Sequence, residues 1–288
     1  MIALIGLLVV TGAVIGGFTM GGGQVMSLFH LSEIVVIAGT SLGTVLVSAP
    51  LPSIMALTRK LPQLIQPSPF SKAMYLDALK MMYELFQIAR KDGLVAIESH
   101  IEAPEKSAVF KKYPALLKNH HAIVFLCDSL RLVLVGSVPP HDLEALMDTE
   151  IEVHHHAEMQ PIGILTKVSD GLPGIGIVAA VLGIVITMGA IAGPITQIGE
   201  HVAAALSGTF LGVLIAYGFV GPMAGGLEAI LDAESRYYYF LKASVIAFAK
   251  GFPPIVAVEF SRREIYADNR PSFAEMETAC KALKSKAA

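Results

Sequence analysis

The sequence is poor in charge. Only 16% of its 288 residues are Asp, Glu, Lys or Arg, against about 25% in an ordinary soluble domain. Charge is missing altogether from four stretches, residues 2–20, 34–55, 171–192 and 202–225. Each is long enough to cross a bilayer, which takes roughly 20 mainly apolar residues. With 54% of the chain hydrophobic, an ordinary soluble domain is excluded and a membrane protein is the reading that remains. Cysteine is scarce too. The two present, Cys127 and Cys280, fall in segments that read as cytoplasmic, where thiols stay reduced, so both read as packing residues. No basic n-region precedes the first apolar run, and "GGFTMGGG" offers no small-residue cleavage site, so that run reads as a retained span. There is no repeat of fixed period, no nucleophile–His–acid arrangement and no nucleic-acid signature. The "GGG" at 21–23 is followed by no Gly-Lys-Ser and reads as a flexible external turn. The chain reads as a non-enzyme.

What charge there is has a pattern. Twelve cations lie between Arg59 and Lys167 and nine between Arg236 and Lys286, with none in the connectors near 21–33 and 193–201. Cytoplasmic loops carry the excess of Lys and Arg, so both basic stretches and both termini are expected inside, and both short connectors outside. The apolar run 121–137 holds Asp128 and Arg131 at its middle. At about 2.5–3.5 kcal/mol each at the bilayer centre, these make it a buried cytoplasmic helix instead of a span. The expected fold is therefore an all-α integral membrane protein. Residues 1–56 form a first transmembrane pair, 57–169 a helical cytoplasmic insertion, 170–225 a second transmembrane pair and 226–288 a cytoplasmic helical tail.

Within the insertion, Tyr75, Leu79, Met82, Phe86 and Ala89 make an apolar helical stripe, with Lys72, Lys80, Glu84, Gln87 and Lys91 on the other side. Gly93 is a helix stop, and "LVAIESHIE" starts afresh, which leaves Arg90 and Glu98 exposed on either side of a turn. In the tail, Pro253 and Pro254 should break the helix that arrives from the membrane, and Ser272 with Glu275 is a capping box. The "HHH" at 154–156 could suggest a metal. Consecutive helical side chains diverge by about 100°, so three adjacent histidines cannot converge on one ion, and a solvated, pH-sensitive helix face is the better reading.

The four charge-free windows carry small residues at intervals of four: Gly12 and Gly16, Gly39 and Gly43, Ala179 and Gly183, Gly208 and Gly212. Such spacing lets helix backbones approach closely in lipid, either within this chain or between copies of it. Pro173 and Pro222 read as ordinary helix termini at the cytoplasmic ends of the third and fourth spans. Thr187, Ser207, Thr209 and Tyr217 supply the few polar groups there, and a hydroxyl in a span most often bonds back to its own helix. No window holds a carboxylate. Embedded ionisable groups are the usual mark of an ion path, so either this chain transports nothing or another chain brings the acid.

Several segments carry a resemblance. "LPGIGIVAAVLGIV", "AALSGTFLGVLIAYGFVGP" and "PPIVAVEFSRREIYADNRPSFAEME", extended by "EIEVHHHAEM", "LEALMDTEIE" and "IARKDGLVAIESHIE", resemble the MotA family, membrane subunits of the bacterial flagellar stator. The resemblance covers nearly the whole chain and is most specific over 170–275. It implies a homopentamer in the inner membrane around two copies of a MotB-type single-span subunit, whose helix carries the ion-binding Asp. Thr209 then resembles the pore-facing hydroxyl beside that Asp, and Gly174 and Gly176 suit a close-lying lining. Pro173 and Pro222 resemble the family's conformational-coupling prolines. Arg90 and Glu98 resemble the charges that act on the rotor protein FliG. Sodium-driven relatives carry a threonine where this chain has Ala180, which favours H⁺ over Na⁺, and no cofactor is implied. Two rival readings stand beside this one. The first is a relative of the ExbB and TolQ energisers, which have three spans and a different order of cytoplasmic segments. The second is a non-conducting membrane scaffold.

Overall fold

The computed structural model describes residues 2–285, so Lys286, the last cation of the tail, lies outside the described residues. Their regular structure is all helical, with no strand among the described residues. Helix α1, Ile2–Met20, is apolar all round and buries none of its side chains. The glycines expected to be a flexible turn form a hydrogen-bonded one. Gly22 adopts φ +83°, Gly23 N–H donates to the Phe18 carbonyl at 3.0 Å, and the Phe18 ring occupies the space a Cβ at Gly23 would need.

Helix α2, Leu31–Ser48, departs from its charge-free window at both ends. It stops seven residues short of 55 because Pro50 forces Ala49 into extended backbone (φ −134°, ψ 138°). A separate helix α3, Leu51–Lys60, then begins, with Pro52 in its first turn. It also starts earlier than the window and so takes in Glu33, which is only 4% exposed.

Helix α4, Lys72–Asp92, is capped by the Ser71 hydroxyl, which accepts from Met74 N–H at 3.3 Å. It ends at Gly93, whose φ of +90° favours glycine. The expected stripe is buried in full, Tyr75, Leu79, Met82, Phe86 and Ala89 all being 5% exposed or less. The short helices α5, Glu98–Glu102, and α6, Pro114–Leu117, lead into α7, His120–Val135. Only one face of α7 is buried. Ile123, Leu126 and Leu130 point inward, while Arg131 on the outer side pairs with Asp128 and, at 2.7 Å, with Glu102. Asp128 and Arg131 thus lie on the exposed side of α7.

Helix α8, Pro140–Gly189, runs for 50 residues without interruption. Helix α9, Ile195–Leu214, passes through a π-helical stretch, Ile215–Val220, into α10, Gly221–Ala249. Four helical runs are long and apolar enough to cross a membrane, namely α1, α2, α8 and the run Ile195–Ala249. The expected break follows α10, but Gly251 makes it: the helix stops at Ala249, Gly251 takes φ +83° and Phe252 N–H donates to the Ala247 carbonyl at 3.1 Å, while Pro254 opens α11, Pro254–Glu264. Helix α12, Phe273–Ser285, closes the described chain.

The chain divides into two compact units, Met1–Pro67 with Glu158–Ile230 and Ser68–Ala157 with Leu231–Ala288. In the second unit the α4 stripe packs on α10 and α11. Phe86 stacks on Phe248 with centroids 4.3 Å apart, and Tyr75 meets Phe240 edge-on at 5.1 Å. Cys127 and Cys280 are free and buried in this unit, and burial pushes both thiols up to about 12, so neither forms a reactive thiolate near neutral pH.

The capping box of α12 is formed. Ser272 N–H donates to Glu275 Oε2 at 2.6 Å and Glu275 N–H donates to Ser272 Oγ at 3.2 Å. Lys72 adds a 2.9 Å ion pair. The Lys72 hydrogen bond first, and the Ser272 bonds second, hold the Glu275 carboxyl down from 4.5 to about 2. A depressed folded pKa gives stabilisation that is present above the ordinary value and lost as pH falls through the folded one. Glu275→Gln should therefore speed amide exchange across α12 at pH 6. The difference from wild type should shrink as pH drops from 4.5 and vanish near 2. A difference that persists at the lowest pH would refute this account.

Candidate functional site

Helices α8 and α9 approach each other through residues too small to hold them apart. On α8 the facing positions are Gly176, Ala179 and Gly183, and on α9 they are Ala205, Gly208 and Gly212. A Cβ built on Gly212 would fall 2.7 Å from the Leu172 carbonyl oxygen and 2.8 Å from Gly176 Cα. One on Gly176 would fall 2.9 Å from the Gly208 carbonyl oxygen, and one on Gly183 2.8 Å from Ala205 Cβ. The pairs Ala179/Gly183 and Gly208/Gly212 thus pack within this chain. Gly12, Gly16, Gly39, Gly43 and Gly174 have no atom within 4 Å of such a Cβ and face open space.

The backbone contact sets Thr209 and Ala180 beside the seam: a Cβ on Gly176 would lie 3.4 Å from Thr209 Cα, and Ala180 faces Gly208. Gly208, the residue before Thr209, would carry a Cβ 3.0 Å from Ala179 Cβ, 3.2 Å from Glu33 Cγ and 3.4 Å from Ala180 N. Glu33 therefore reaches the α8–α9 seam from α2. Its carboxylate accepts a hydrogen bond from the Ser32 hydroxyl. That corrects the expectation that no apolar helix carries an acid. A window that begins after the last charge cannot contain it, whereas a helix can bury a charged residue of its first turn. The polar side chains then differ among themselves. Thr187 Oγ1 donates to the Gly183 carbonyl at 2.8 Å and Ser207 Oγ to the Ala203 carbonyl at 2.9 Å, each bonding back along its own helix. Thr209, half-buried, donates to no carbonyl among the described residues. Tyr217 is 67% exposed.

The two prolines are not helix termini. Pro173 lies inside α8, as does Pro161. Pro222 is the second residue of α10 and follows the π-helical stretch with no break in the helical run. A proline inside a helix removes one hydrogen bond and crowds the carbonyl four residues back. Long helices keep such prolines where neighbouring side chains and local π adjustments satisfy the freed groups. Here the π adjustment precedes Pro222, and Ser169, a residue with no signal in the sequence, donates its hydroxyl to the Ala216 carbonyl of that turn at 3.0 Å, a carbonyl that neither proline frees.

In the second unit, Arg90 lies in the last turn of α4 and Glu98 opens α5 on either side of the Gly93 turn, both exposed. The three histidines enter three surroundings, but two of them are not solvated as expected. His154 is half-buried, 3.7 Å from Glu234 and 4.9 Å from the Tyr238 ring centroid, while His155 shares a 2.8 Å hydrogen bond with Ser235. His156 alone is exposed, 3.9 Å from Glu152. The face of α8 that carries His154 and His155 packs on α10, whose Tyr238 and Ser235 displace water from it.

Two family descriptions match the chain, Motility protein A N-terminal over residues 4–93 and the MotA/TolQ/ExbB proton channel family over 117–239. Motility protein A of Escherichia coli is 39% identical, the match covering 99% of this chain and 97% of that protein. Motility protein A of Salmonella typhimurium is 36% identical over the same shares. Chemotaxis protein LafT of Vibrio parahaemolyticus is 33% identical over 95% and 96%. Among solved structures, that of C. jejuni MotAB superposes with a TM-score of 0.76 at 19% identity, covering 94% of this chain and 98% of that one. The flagellar MotAB stator complex from Bacillus subtilis superposes with 0.72 at 21%, covering 89% and 92%. The two family matches and the identity of 33–39% to these curated proteins over 95–99% of this chain, with the all-helical fold shared with the solved structures, lead to one conclusion: the chain belongs to the Motility protein A family of flagellar stator subunits.

Proposed function

We propose that this chain is the ion-conducting subunit of a flagellar stator and turns proton flow into torque with a MotB-type partner. The observation that carries the site assignment is the free hydroxyl of Thr209 on a helix held against α8 with only glycine and alanine along the seam. In this reading α1, α2, α8 and the Ile195–Ala249 run cross the bacterial inner membrane, with both termini and both basic stretches in the cytoplasm. Five copies surround the single-span helices of two partner subunits, whose Asp takes the proton.

Protonation neutralises that Asp, its contact with Thr209 changes, and the seam around Pro173 and Pro222 adjusts as the ring advances. Release to the cytoplasm resets it. One elementary charge that crosses 100 mV supplies about 2.3 kcal/mol. Arg90 and Glu98 act on complementary charges of FliG, through exposed pairs worth about 0–1 kcal/mol each. Contacts this weak allow stepping. Ala180 offers no side-chain oxygen, which suits a proton and does not suit a dehydrated Na⁺ that needs several oxygen ligands.

The test is swimming of stator-null cells given this chain and its cognate partner, with sodium varied and a protonophore then added. Sodium-independent swimming that the protonophore stops is the expected result. Swimming that scales with sodium would overturn the proton assignment. Absence of swimming and of ion flux, despite a membrane complex in a matched host, would overturn the stator reading in favour of a non-conducting scaffold.

A further inference from the structure

We infer that Ser169 is a positioning residue that ties the two proline sites into one mechanical unit, an inference that rests on the stator reading above. Two backbone defects lie on different helices. Pro173 has no N–H, so in α8 it cannot donate to the carbonyl four residues back, which is that of Ser169. Pro222 likewise leaves the Gly218 carbonyl without its helical donor. The run before Pro222 answers by widening into the π-helical turn Ile215–Val220, closed by Gly221 N–H donating to the Ala216 carbonyl.

Ser169 reaches that turn. Its hydroxyl donates to the same Ala216 carbonyl at 3.0 Å, across 47 positions of sequence, in surroundings where Ser169 is 5% exposed and Ala216 is 0%. One residue therefore contributes the carbonyl that Pro173 deprives of a donor and the hydroxyl that braces the turn beside Pro222. Gly221 completes the fit. A Cβ there would lie 3.0 Å from the Ala216 oxygen and 3.0 Å from Ser169 Oγ, so a side chain at 221 would crowd the docked Ser169 hydroxyl. A change of α8 geometry at Pro173 moves Ser169 and is felt directly at Ala216. Ser169 touches no ion; it sets the shape of the turn.

The test uses the full complex with the cognate partner and the variants Ser169→Ala, Ser169→Thr, Gly221→Ala and the double variant Ser169→Ala/Gly221→Ala. Amide exchange over residues 215–221 should rise about fivefold in Ser169→Ala, the equilibrium factor of one neutral hydrogen bond. Motor speed at low load should fall with it at equal complex abundance. Ser169→Thr, which keeps the donor, should restore both. Gly221→Ala should reproduce the Ser169→Ala phenotype, and the double variant should be no worse than the worse single one, because both remove the same contact.

Exchange and speed unchanged in Ser169→Ala would overturn the inference, as would additive effects in the double variant. It would also fall if Ser169→Thr lost as much as Ser169→Ala. If the wild-type complex neither conducts nor turns a motor, the stator reading fails. The exchange measurement still judges the Ser169 contact by itself.

Discussion

Gly212→Val is expected to abolish motility and to prevent recovery of an intact complex. The reason is the identity of the atoms in the way. A Cβ at this position would lie 2.7 Å from the Leu172 carbonyl oxygen, 2.8 Å from Gly176 Cα and 3.1 Å from Gly176 N, all of them backbone. A flexible side chain could swing aside, but these atoms move only if α8 moves. Separating the helices would open a gap along Ala179, Gly183, Ala205 and Gly208, and a gap even below 1 Å forfeits a quarter to a half of each contact. Overpacking by one or two carbons costs about 1–3 kcal/mol in a water-soluble core. Here the strain falls on a seam that has little apolar driving force of its own in lipid. Gly212→Ala should show the same defect more weakly, as a lower melting temperature and reduced complex yield. Gly12→Ala and Gly16→Ala are the controls, since no atom of this chain lies within 4 Å of either added Cβ. Those two should leave the chain's own fold within about 0.5 kcal/mol of wild type, and a loss of assembly in them would place another chain against α1. A Gly212→Ala protein as abundant, as stable and as motile as wild type would refute the close α8–α9 approach.

How much of this was legible in the sequence depends on how local the cause is. The α4 stripe, the Gly93 stop, the break before Pro253–Pro254 and the Ser272–Glu275 box were all readable. Each rests on side chains within one or two turns of one another. The small-residue spacing showed that backbones could approach, yet it could not say which pairs meet inside the chain. Gly208 and Gly212 do, whereas Gly12 and Gly16 do not. Pro50 was counted as one more apolar residue of the second window, although its effect on Ala49 ends the helix. Glu33 was lost for the opposite reason, because a window bounded by charge stops where a buried charge begins. Pro173 and Pro222 looked like termini, since an isolated helix would end there and the neighbours that stabilise their continuation come from elsewhere in the chain. Ser169 had no signal at all. Its partner is a backbone carbonyl 47 residues away, a contact that sequence pattern cannot display. Thr209 could be singled out only through the family resemblance. Its lack of a bond to its own helix, which separates it from Thr187 and Ser207, required the geometry.

That same difference makes Thr209→Val the most informative functional substitution. Valine keeps the shape of threonine and deletes only the hydroxyl. At Thr187 the change would remove a 2.8 Å bond to the Gly183 carbonyl, and at Ser207 an alanine would remove one of 2.9 Å to the Ala203 carbonyl. At Thr209 no hydrogen bond of the chain is lost among the described residues, so stability and complex abundance should stay at wild-type level. Any effect on conduction then arises from what the hydroxyl meets outside this chain. A hydrogen bond to an ionised group is worth about 1.5–3 kcal/mol. Ion flux through the complex and motor speed should therefore fall roughly tenfold or more in Thr209→Val, while Thr209→Ser retains most of both. Thr187→Val supplies the reverse pattern, a small loss of stability with flux near wild type. Flux and speed unchanged in Thr209→Val at equal abundance would remove Thr209 from the ion path. The buried Glu33, which meets the same seam one residue away at Gly208, would then be the side chain left to carry the assignment.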